Sequence, residues 1–238
     1  MRRDGSPLSR GRQLSVTKEI EMLSPETSAT RQLAEFAVAL RYDDLPAAVV
    51  ERLKQCILDS LGCCLYGVTT PWTKMLIDLV TQEGGNAQAR VLGTSLRTSV
   101  SQTVLIGATA GHGFEMDDIH AAAHLHAGSL ALPTALALAD TMPAVDGRAL
   151  IAAIAAGYET GYRVSLAATG KLFMRGFHFQ GACGPFVAVA TAANLLKLSP
   201  EAARNAIGIA GSFGAGLWRR RRARCRSGCI PAAPRRRA

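Results

Sequence analysis

Alanine, leucine and glycine dominate residues 121–217 of this 238-residue chain, and aromatic residues make up only 5% of the whole sequence. Alanine and leucine favour helices, whereas strands prefer β-branched and aromatic side chains. Small residues on a helix surface also let neighbouring helix backbones approach closely. The pattern therefore predicts a mainly α fold, with helices near residues 98–112, 129–141, 147–168, 185–197 and 200–216.

The first half of the chain shows apolar residues at helical spacing in three segments. Asp44-Leu45-Pro46 marks one helix start, because proline is tolerated in the first turn of a helix. Asp146 and Ser199 precede two of the later helices, and we expect them to cap the N-termini. The predicted elements of this half are helices at residues 30–40, 44–67 and 71–83 and one short strand at 89–93.

Positive charge is concentrated at one end of the sequence. Nine arginines and no acids lie between Trp218 and Ala238, and the 18 basic residues that remain equal the 18 acidic ones. The tail is interpreted as a nucleic-acid or acidic-surface binder, a solvated disordered end, or a frame-shifted stretch of a GC-rich gene. We favour the frameshift, so nucleic-acid binding is not expected. The predicted domains are a disordered leader at 1–28, a helical domain at 29–217 and this tail at 218–238.

Cysteine usage and hydropathy bear on the compartment. None of the six cysteines forms a zinc-type CxxC pair, and Cys63 and Cys64 lie within an apolar helical pattern. No signal peptide and no apolar run long enough for a membrane span is visible. Buried free thiols and a cytoplasmic location are therefore expected, with an organelle transit peptide as the alternative.

The segment EMDDIHAAAHLHAG, at residues 115–128, concentrates three carboxylates and three of the five histidines. A metal site is one hypothesis: His120 and His124 would share a face if the segment were helical, with Asp117, Asp118 and His126 as further ligands. The spacing matches no HExxH-type motif, so we predict no metal.

Acid/base chemistry is the second hypothesis for this segment. Carboxylates crowded at Glu115, Asp117 and Asp118 repel one another, so at least one pKa should rise. A neighbouring histidine titrates near neutrality and moves protons. The third hypothesis is a solvated loop in which the two aspartates cap helices. Local sequence does not decide between the second and third.

A second candidate site lies in RGFHFQGACGPF, at residues 175–186. His178 precedes a small-residue turn from Gly181 to Gly184, after which a long apolar helix is expected. A helix N-terminus preceded by glycines exposes N–H groups that favour anions. The segment therefore predicts a carboxylate-binding corner, with a plain turn as the alternative. Cys183 has no visible orienting group, so a nucleophilic role is not expected.

Several segments resemble the MmgE/PrpD family, which contains 2-methylcitrate dehydratase and cis-aconitate decarboxylase. TRQLAEFAVALRYDDLPAAVVERLKQCILDSLGCCLYG is similar to the family's opening, and HGFEMDDIHAAAHLHAGSLALPTALALAD resembles its central motif. GYETGYRVSLA and GFHFQGACGPFVAVATAANLLKLSPEAARNAIGIAGSFGAGL continue the match. The resemblance covers about residues 30–217.

The resemblance implies roles for individual residues. His126 stands where the family has its active-site histidine, although Ala127 replaces the usual proline, and Ile119 replaces a threonine found in several members. The implied catalytic residues are Asp117, Asp118 and His126. The implied substrate-binding residues, taken with the helix-start argument, are Glu115, His178, Gly181 and Gly184.

The resemblance also implies an architecture and an activity. Family members combine a large all-helical domain with an α+β lid, and a lysine motif close to KRxHxG follows the point where this chain has its arginine tail. We therefore expect a truncated helical domain that lacks the lid and the lysine. The implied activity is a cofactor-free lyase reaction on a small polycarboxylate, either elimination of water, as in propionate catabolism, or decarboxylation, with little activity from this chain alone. An isomerase or epimerase, or a non-catalytic helical fragment whose tail binds acidic partners, are the alternatives. A homodimer is expected for intact relatives.

Overall fold

Eight α-helices and one small hairpin build the part of the chain that the computed structural model describes, residues 28–217. The predicted tail and all but residue 28 of the predicted leader lie outside this range. None of the described helices is long and apolar enough to cross a membrane. The elements are α1 (Ala29–Ala39), α2 (Ala47–Gly67), α3 (Pro71–Glu83), β1 (Ala89–Arg90), β2 (Arg97–Thr98), α4 (Val100–His112), α5 (Gly128–Ala139), α6 (Gly147–Met174), α7 (Phe179–Leu195) and α8 (Pro200–Phe213), with a 3-10 turn at Tyr42–Asp44. The predicted mainly α fold is confirmed.

Side-chain caps start several of these helices. Asp146 accepts a hydrogen bond from the Ala149 N–H at 2.8 Å, and Ser199 accepts one from the Ala202 N–H at 3.2 Å. Both predicted caps are confirmed. Ser28, assigned to the leader from sequence, caps α1 in the same way. Each cap satisfies one N–H that the first helical turn leaves without an internal partner.

The structure corrects three predicted boundaries. α6 continues to Met174, because Leu172 still packs against the core and one glycine at position 170 costs a helix only about 1 kcal/mol. The predicted strand shrinks to β1, which pairs antiparallel with the unpredicted β2. α7 begins at Phe179, so the predicted turn from Gly181 to Gly184 is wrong.

Tertiary contacts explain why α7 tolerates its glycines and a proline. Pro185 has no N–H to donate to the carbonyl of Gly181, and that carbonyl accepts instead from the Ala215 N–H at 3.0 Å. A Cβ on Gly181 would overlap the Ala215 carbonyl oxygen. The segment after α8 therefore completes the first turns of α7.

The core lies between α5, α6 and α7, where close backbone approach depends on small residues. Gly157 and Gly161 of α6 leave no room for a Cβ against Thr191 and Val187 of α7. The expectation that small residues pack the later helices closely is confirmed. The largest apolar cluster of the described residues includes the fully or almost fully buried Leu125, Leu132, Ile154 and Val187.

The four described cysteines are free thiols. Burial raises the pKa of Cys63 to about 11 and that of Cys64 to about 12. Burial likewise raises the pKa of Cys183. Such thiols are protonated and unreactive at neutral pH. The predicted buried free thiols are confirmed for these three cysteines, whereas Cys56 is only partly buried. Cys225 and Cys229 lie outside the described residues.

Candidate active site

The loop between α4 and α5 folds back on itself and carries most of the predicted site residues. His120 N–H donates to the Leu125 carbonyl at 3.1 Å, and His124 N–H donates to the His120 carbonyl at 2.8 Å. Glu115 and His124 hold left-handed backbone conformations, with φ values of 56° and 52°. These tight turns bring Asp117, near the start of the loop, into contact with His126, near its end.

Asp117 lies at the centre of this arrangement, with a fully buried side chain. Its carboxylate is 3.2 Å from Nδ1 of His112 through both oxygens, and Oδ1 is also 3.2 Å from Nδ1 of His126. Nδ1 of His126 lies 3.1 Å from the backbone carbonyl oxygen of Asp117 as well. A carbonyl oxygen can only accept, so this nitrogen carries a proton. Nε2 is therefore the nitrogen of His126 that is left for chemistry.

The buried Asp117 carboxylate and the His126 imidazole stabilise each other's charged forms. Burial would raise the pKa of Asp117, but hydrogen bonds from His112 and His126 outweigh it and lower that pKa well below the usual range. Burial opposes the charged form of His126, yet its hydrogen bond to Asp117 and the carboxylate charge raise its pKa above the ordinary value. His126 is thus suited to carry a proton near neutral pH.

Asp118 faces a different environment. Oδ1 accepts hydrogen bonds from the Tyr158 hydroxyl at 3.2 Å and from Ser60 at 3.5 Å. Burial, with the negative charges of Asp117 and Asp59, raises the pKa of Asp118 to about 6 despite the bond from Tyr158. Its carboxyl lines a mostly apolar cavity of about 730 Å³ between α1, α2 and α6. Asp118 therefore lines this larger cavity, whereas the Asp117 side chain is fully buried between two imidazoles. Neither aspartate caps α4 or α5, so the hypothesis that they cap helices is wrong.

A small cavity of about 110 Å³ is lined by His112, His124, His126 and His178. The His112 ring centroid is 4.7 Å from that of His126 and 6.1 Å from that of His178. Glu115 lines the same cavity, as does Ile119, which also reaches the larger one. The structure thus brings together Glu115, His126 and His178, three of the predicted site residues. Aromatic rings also line the cavity, with Phe179 stacked on Phe173 and His124.

The first turn of α7 contributes Phe179 and Gln180 to the lining of this cavity. His178 is the N-cap, and its own N–H donates to the Gly216 carbonyl at 3.0 Å. The N–H groups without an intrahelical partner are then those of Phe179, Gln180 and Gly181. Gly184 lies in the second turn, against Leu130, where its N–H belongs to the helix ladder. The anion-binding role of Gly181 stays a prediction, and the helix-start argument loses its basis for Gly184.

One set of potential ligand atoms in the described residues has the spacing of a metal centre. Donor atoms of His112, Asp117 and His126 lie within 4.8 Å of one another. Nδ1 of His126 donates a hydrogen bond to the backbone carbonyl oxygen of Asp117, so hydrogen bonding accounts for the short distances between these atoms. Of the ligands in the metal hypothesis, Asp117 and His126 belong to this cluster, whereas His120 packs against Tyr162 and His124 against Phe179.

Two residues at the site were not assigned a role from the sequence. His112 ends α4 and contacts Asp117, which follows five residues later in the chain. Its closeness in sequence to the 115–128 segment is the signal that could have identified it. Gln180 lies two residues after His178, and its amide binds the backbone of His126. No local pattern marks that second contact, because the partners are 54 residues apart.

Fold and site define a mainly helical protein whose histidine-lined cavity lies beside a buried carboxylate. The family model of the MmgE/PrpD N-terminal domain matches residues 31–235, so the chain belongs to the MmgE/PrpD family. The resemblance noted in the sequence is confirmed, and the match extends into the arginine-rich tail.

Comparison with individual proteins gives cis-aconitate decarboxylases. The chain is 31% identical over 201 residues to a cis-aconitate decarboxylase-like protein of Aspergillus oryzae. The aligned residues cover 82% of this chain and 42% of that protein. It is 28% identical over 207 residues to the cis-aconitate decarboxylase of Aspergillus terreus, covering 85% and 42%. The human cis-aconitate decarboxylase is 29% identical over 187 residues, covering 77% and 39%. The chain thus spans about two fifths of the length of these curated relatives.

Proposed function

We propose that this chain is the helical part of a lyase that transfers a proton to carbon on a small polycarboxylate. The observation that carries the proposal is the buried Asp117 carboxylate between His112 and His126, at 3.2 Å from Nδ1 of each ring. The similarity to cis-aconitate decarboxylases favours decarboxylation over loss of water. Elimination from a 2-methylcitrate-like substrate is the second candidate.

Decarboxylation calls for a proton donor, and the raised pKa of His126 supports that role. As the bond to the leaving carboxylate breaks, CO₂ departs and its electron pair stays on carbon, delocalised toward a conjugated carboxylate. Nε2 of His126 then gives its proton to that carbon. Asp117 keeps Nδ1 protonated throughout, and solvent returns a proton to Nε2.

Substrate carboxylates need positive or donor groups near the proton donor. His178 lies in the same cavity as His126, and the first-turn N–H groups of α7 up to Gly181 add donors. Glu115 at the cavity edge restricts where a second carboxylate binds. Asp118 supports the loop from the far side and, in this proposal, does not touch the substrate.

A direct assay tests the proposal. The full chain is incubated with cis-aconitate in D₂O, and ¹H NMR follows substrate loss and deuterium incorporation at the new C–H position. Turnover lost in His126→Gln and kept in His120→Gln supports His126 as the donor. Equal activity of both variants would overturn that role, and turnover of 2-methylcitrate alone would select the dehydratase alternative.

Two further arms separate the remaining alternatives. Binding of tricarballylate, a non-reactive tricarboxylate, is measured by calorimetry for the wild-type and His178→Gln proteins. Binding without turnover would identify a substrate-binding fragment, and no binding would favour a non-catalytic one.

EDTA should leave any turnover unchanged; loss on chelation and recovery with zinc would assign a metal to the His112, Asp117 and His126 cluster. Homodimer formation, predicted for intact relatives, is checked by light scattering.

A further inference from the structure

We infer that Gln180 is a positioning residue that fixes His126 relative to His178; the inference rests on the proposed function of this cavity. The Oε1 atom of Gln180 accepts from the His126 N–H at 3.1 Å, and Nε2 donates to the His126 carbonyl at 2.8 Å. A single side chain thus binds both backbone groups of the residue that carries the proton.

The amide of Gln180 has a fully determined orientation. Nε2 makes a further hydrogen bond to the Ser129 hydroxyl at 3.0 Å, and that hydroxyl donates to the His126 carbonyl at 3.1 Å. A side-chain amide offers one acceptor and two donor hydrogens, and each has a partner here. Rotation of the amide by half a turn would place donor against donor at the His126 N–H, so a single arrangement is favoured.

The position of Gln180 explains what this clamp connects. Gln180 is the second residue of α7, and His178 is the N-cap of the same helix. His126 directly precedes Ala127, the N-cap of α5. The clamp therefore joins the N-termini of α5 and α7 at the place where their two imidazoles enter one cavity. Displacement of about 1 Å between a catalytic group and its substrate can reduce a rate roughly 100-fold.

Graded variants test this role. Gln180→Met keeps the length but neither hydrogen bond, and Gln180→Glu keeps the acceptor for the His126 N–H but has no N–H for the carbonyl. With cis-aconitate, we expect kcat to fall about 10- to 100-fold in the Met variant, less in the Glu variant, with KM changed by no more than about threefold. Gln55→Met, at an exposed position on α2, is the matched control and should leave both constants unchanged.

A spectroscopic measurement keeps the inference separate from the proposed function. In ¹H–¹⁵N and aromatic spectra of the full chain, Gln180→Met should shift the His126 amide and the ring resonances of His126 and His178, whereas Gln55→Met should not. This result, with no turnover in the wild type, would reject the lyase activity and keep the clamp. Unchanged His126 and His178 resonances would overturn the positioning role whatever the activity. If the Met variant does not fold, the same comparison with the Glu variant decides.

Discussion

The carboxylates of Asp117 and Asp118 are adjacent in sequence but lie in opposite surroundings. Asp117 is bound by two imidazoles that favour its charge, and its pKa falls. Asp118 is bound by the neutral hydroxyls of Tyr158 and Ser60, and burial raises its pKa to about 6. Asp117 is thus kept ionised beside the candidate proton donor, whereas ionisation of Asp118 destabilises the folded protein.

Asp118→Asn is predicted to stabilise the protein at neutral pH. The folded state keeps the Asp118 proton up to about pH 6, whereas the unfolded chain releases it near pH 3.8. The folded state therefore binds more protons between these values, and stability falls as pH rises through that window. Asparagine does not ionise, so its advantage in unfolding free energy should grow by about 2–3 kcal/mol between pH 4 and pH 7.

Urea unfolding at pH 4, 5, 6 and 7 measures this difference. The control is Glu83→Gln, which removes an exposed carboxylate at the end of α3 and tests whether any lost acid gives the same pH dependence. A constant gap between wild type and Asp118→Asn across the series would show that Asp118 is not the group that titrates.

Asp117→Asn is predicted to lower the pKa of His126. In the wild type the carboxylate outweighs the burial of the ring, and the pKa lies above its ordinary value. Asparagine keeps a hydrogen-bond acceptor but no charge, so burial should then dominate and bring the pKa below about 6.5. Titration of the histidine Cε1–H resonances by ¹H NMR measures it, with His126→Gln to assign the signal. A His126 pKa that stays raised would place the source of the shift elsewhere.

Gly128→Ala is predicted to destabilise the site through its packing. A Cβ at this position would overlap the Ser60 hydroxyl and the Asp118 carboxylate and would lie 2.6 Å from the Tyr158 hydroxyl. Thermal unfolding should show a loss of about 1–3 kcal/mol, the usual cost of overpacking. Gly62→Ala, on α2 with open space around it, should instead gain about 0.5–1 kcal/mol. Equal effects of the two substitutions would contradict the close approach at Gly128.

The sequence predicted what depends on local chemistry. Helix periodicity, the Asp146 and Ser199 caps and the placing of His126 and His178 in one site all follow from residues near each other or from a family pattern. Long-range contacts explain the failures. α7 begins at Phe179 because the segment around Ala215 binds its first turn, and a run of glycines alone indicates a turn.

The separation of the two aspartates was likewise out of reach of the sequence. Asp118 meets Tyr158 and Ser60, which are 40 and 58 residues away, and only the packing of α2 and α6 places them there. Repulsion among crowded carboxylates predicted that one pKa would rise; the pKa of Asp118 is raised, but burial is the largest cause and the charges of Asp117 and Asp59 add to it. The loop fold, which buries Asp117 against two imidazoles and places Asp118 beside Tyr158 and Ser60, decided which one.

His112→Leu is predicted to raise the pKa of His126 further, opposite to the effect of Asp117→Asn. The two imidazoles share one carboxylate, so removing His112 takes away a competing donor and leaves the Asp117 charge to His126 alone. Loss of a hydrogen bond to a buried carboxylate should also cost about 1–3 kcal/mol in unfolding free energy. His112→Gln can still donate to Asp117, so it should recover part of that stability. The same NMR titration measures the change in the His126 pKa, with His120→Leu as the control. A lowered His126 pKa in His112→Leu would mean that His112 supports the charge on His126 rather than competing for Asp117.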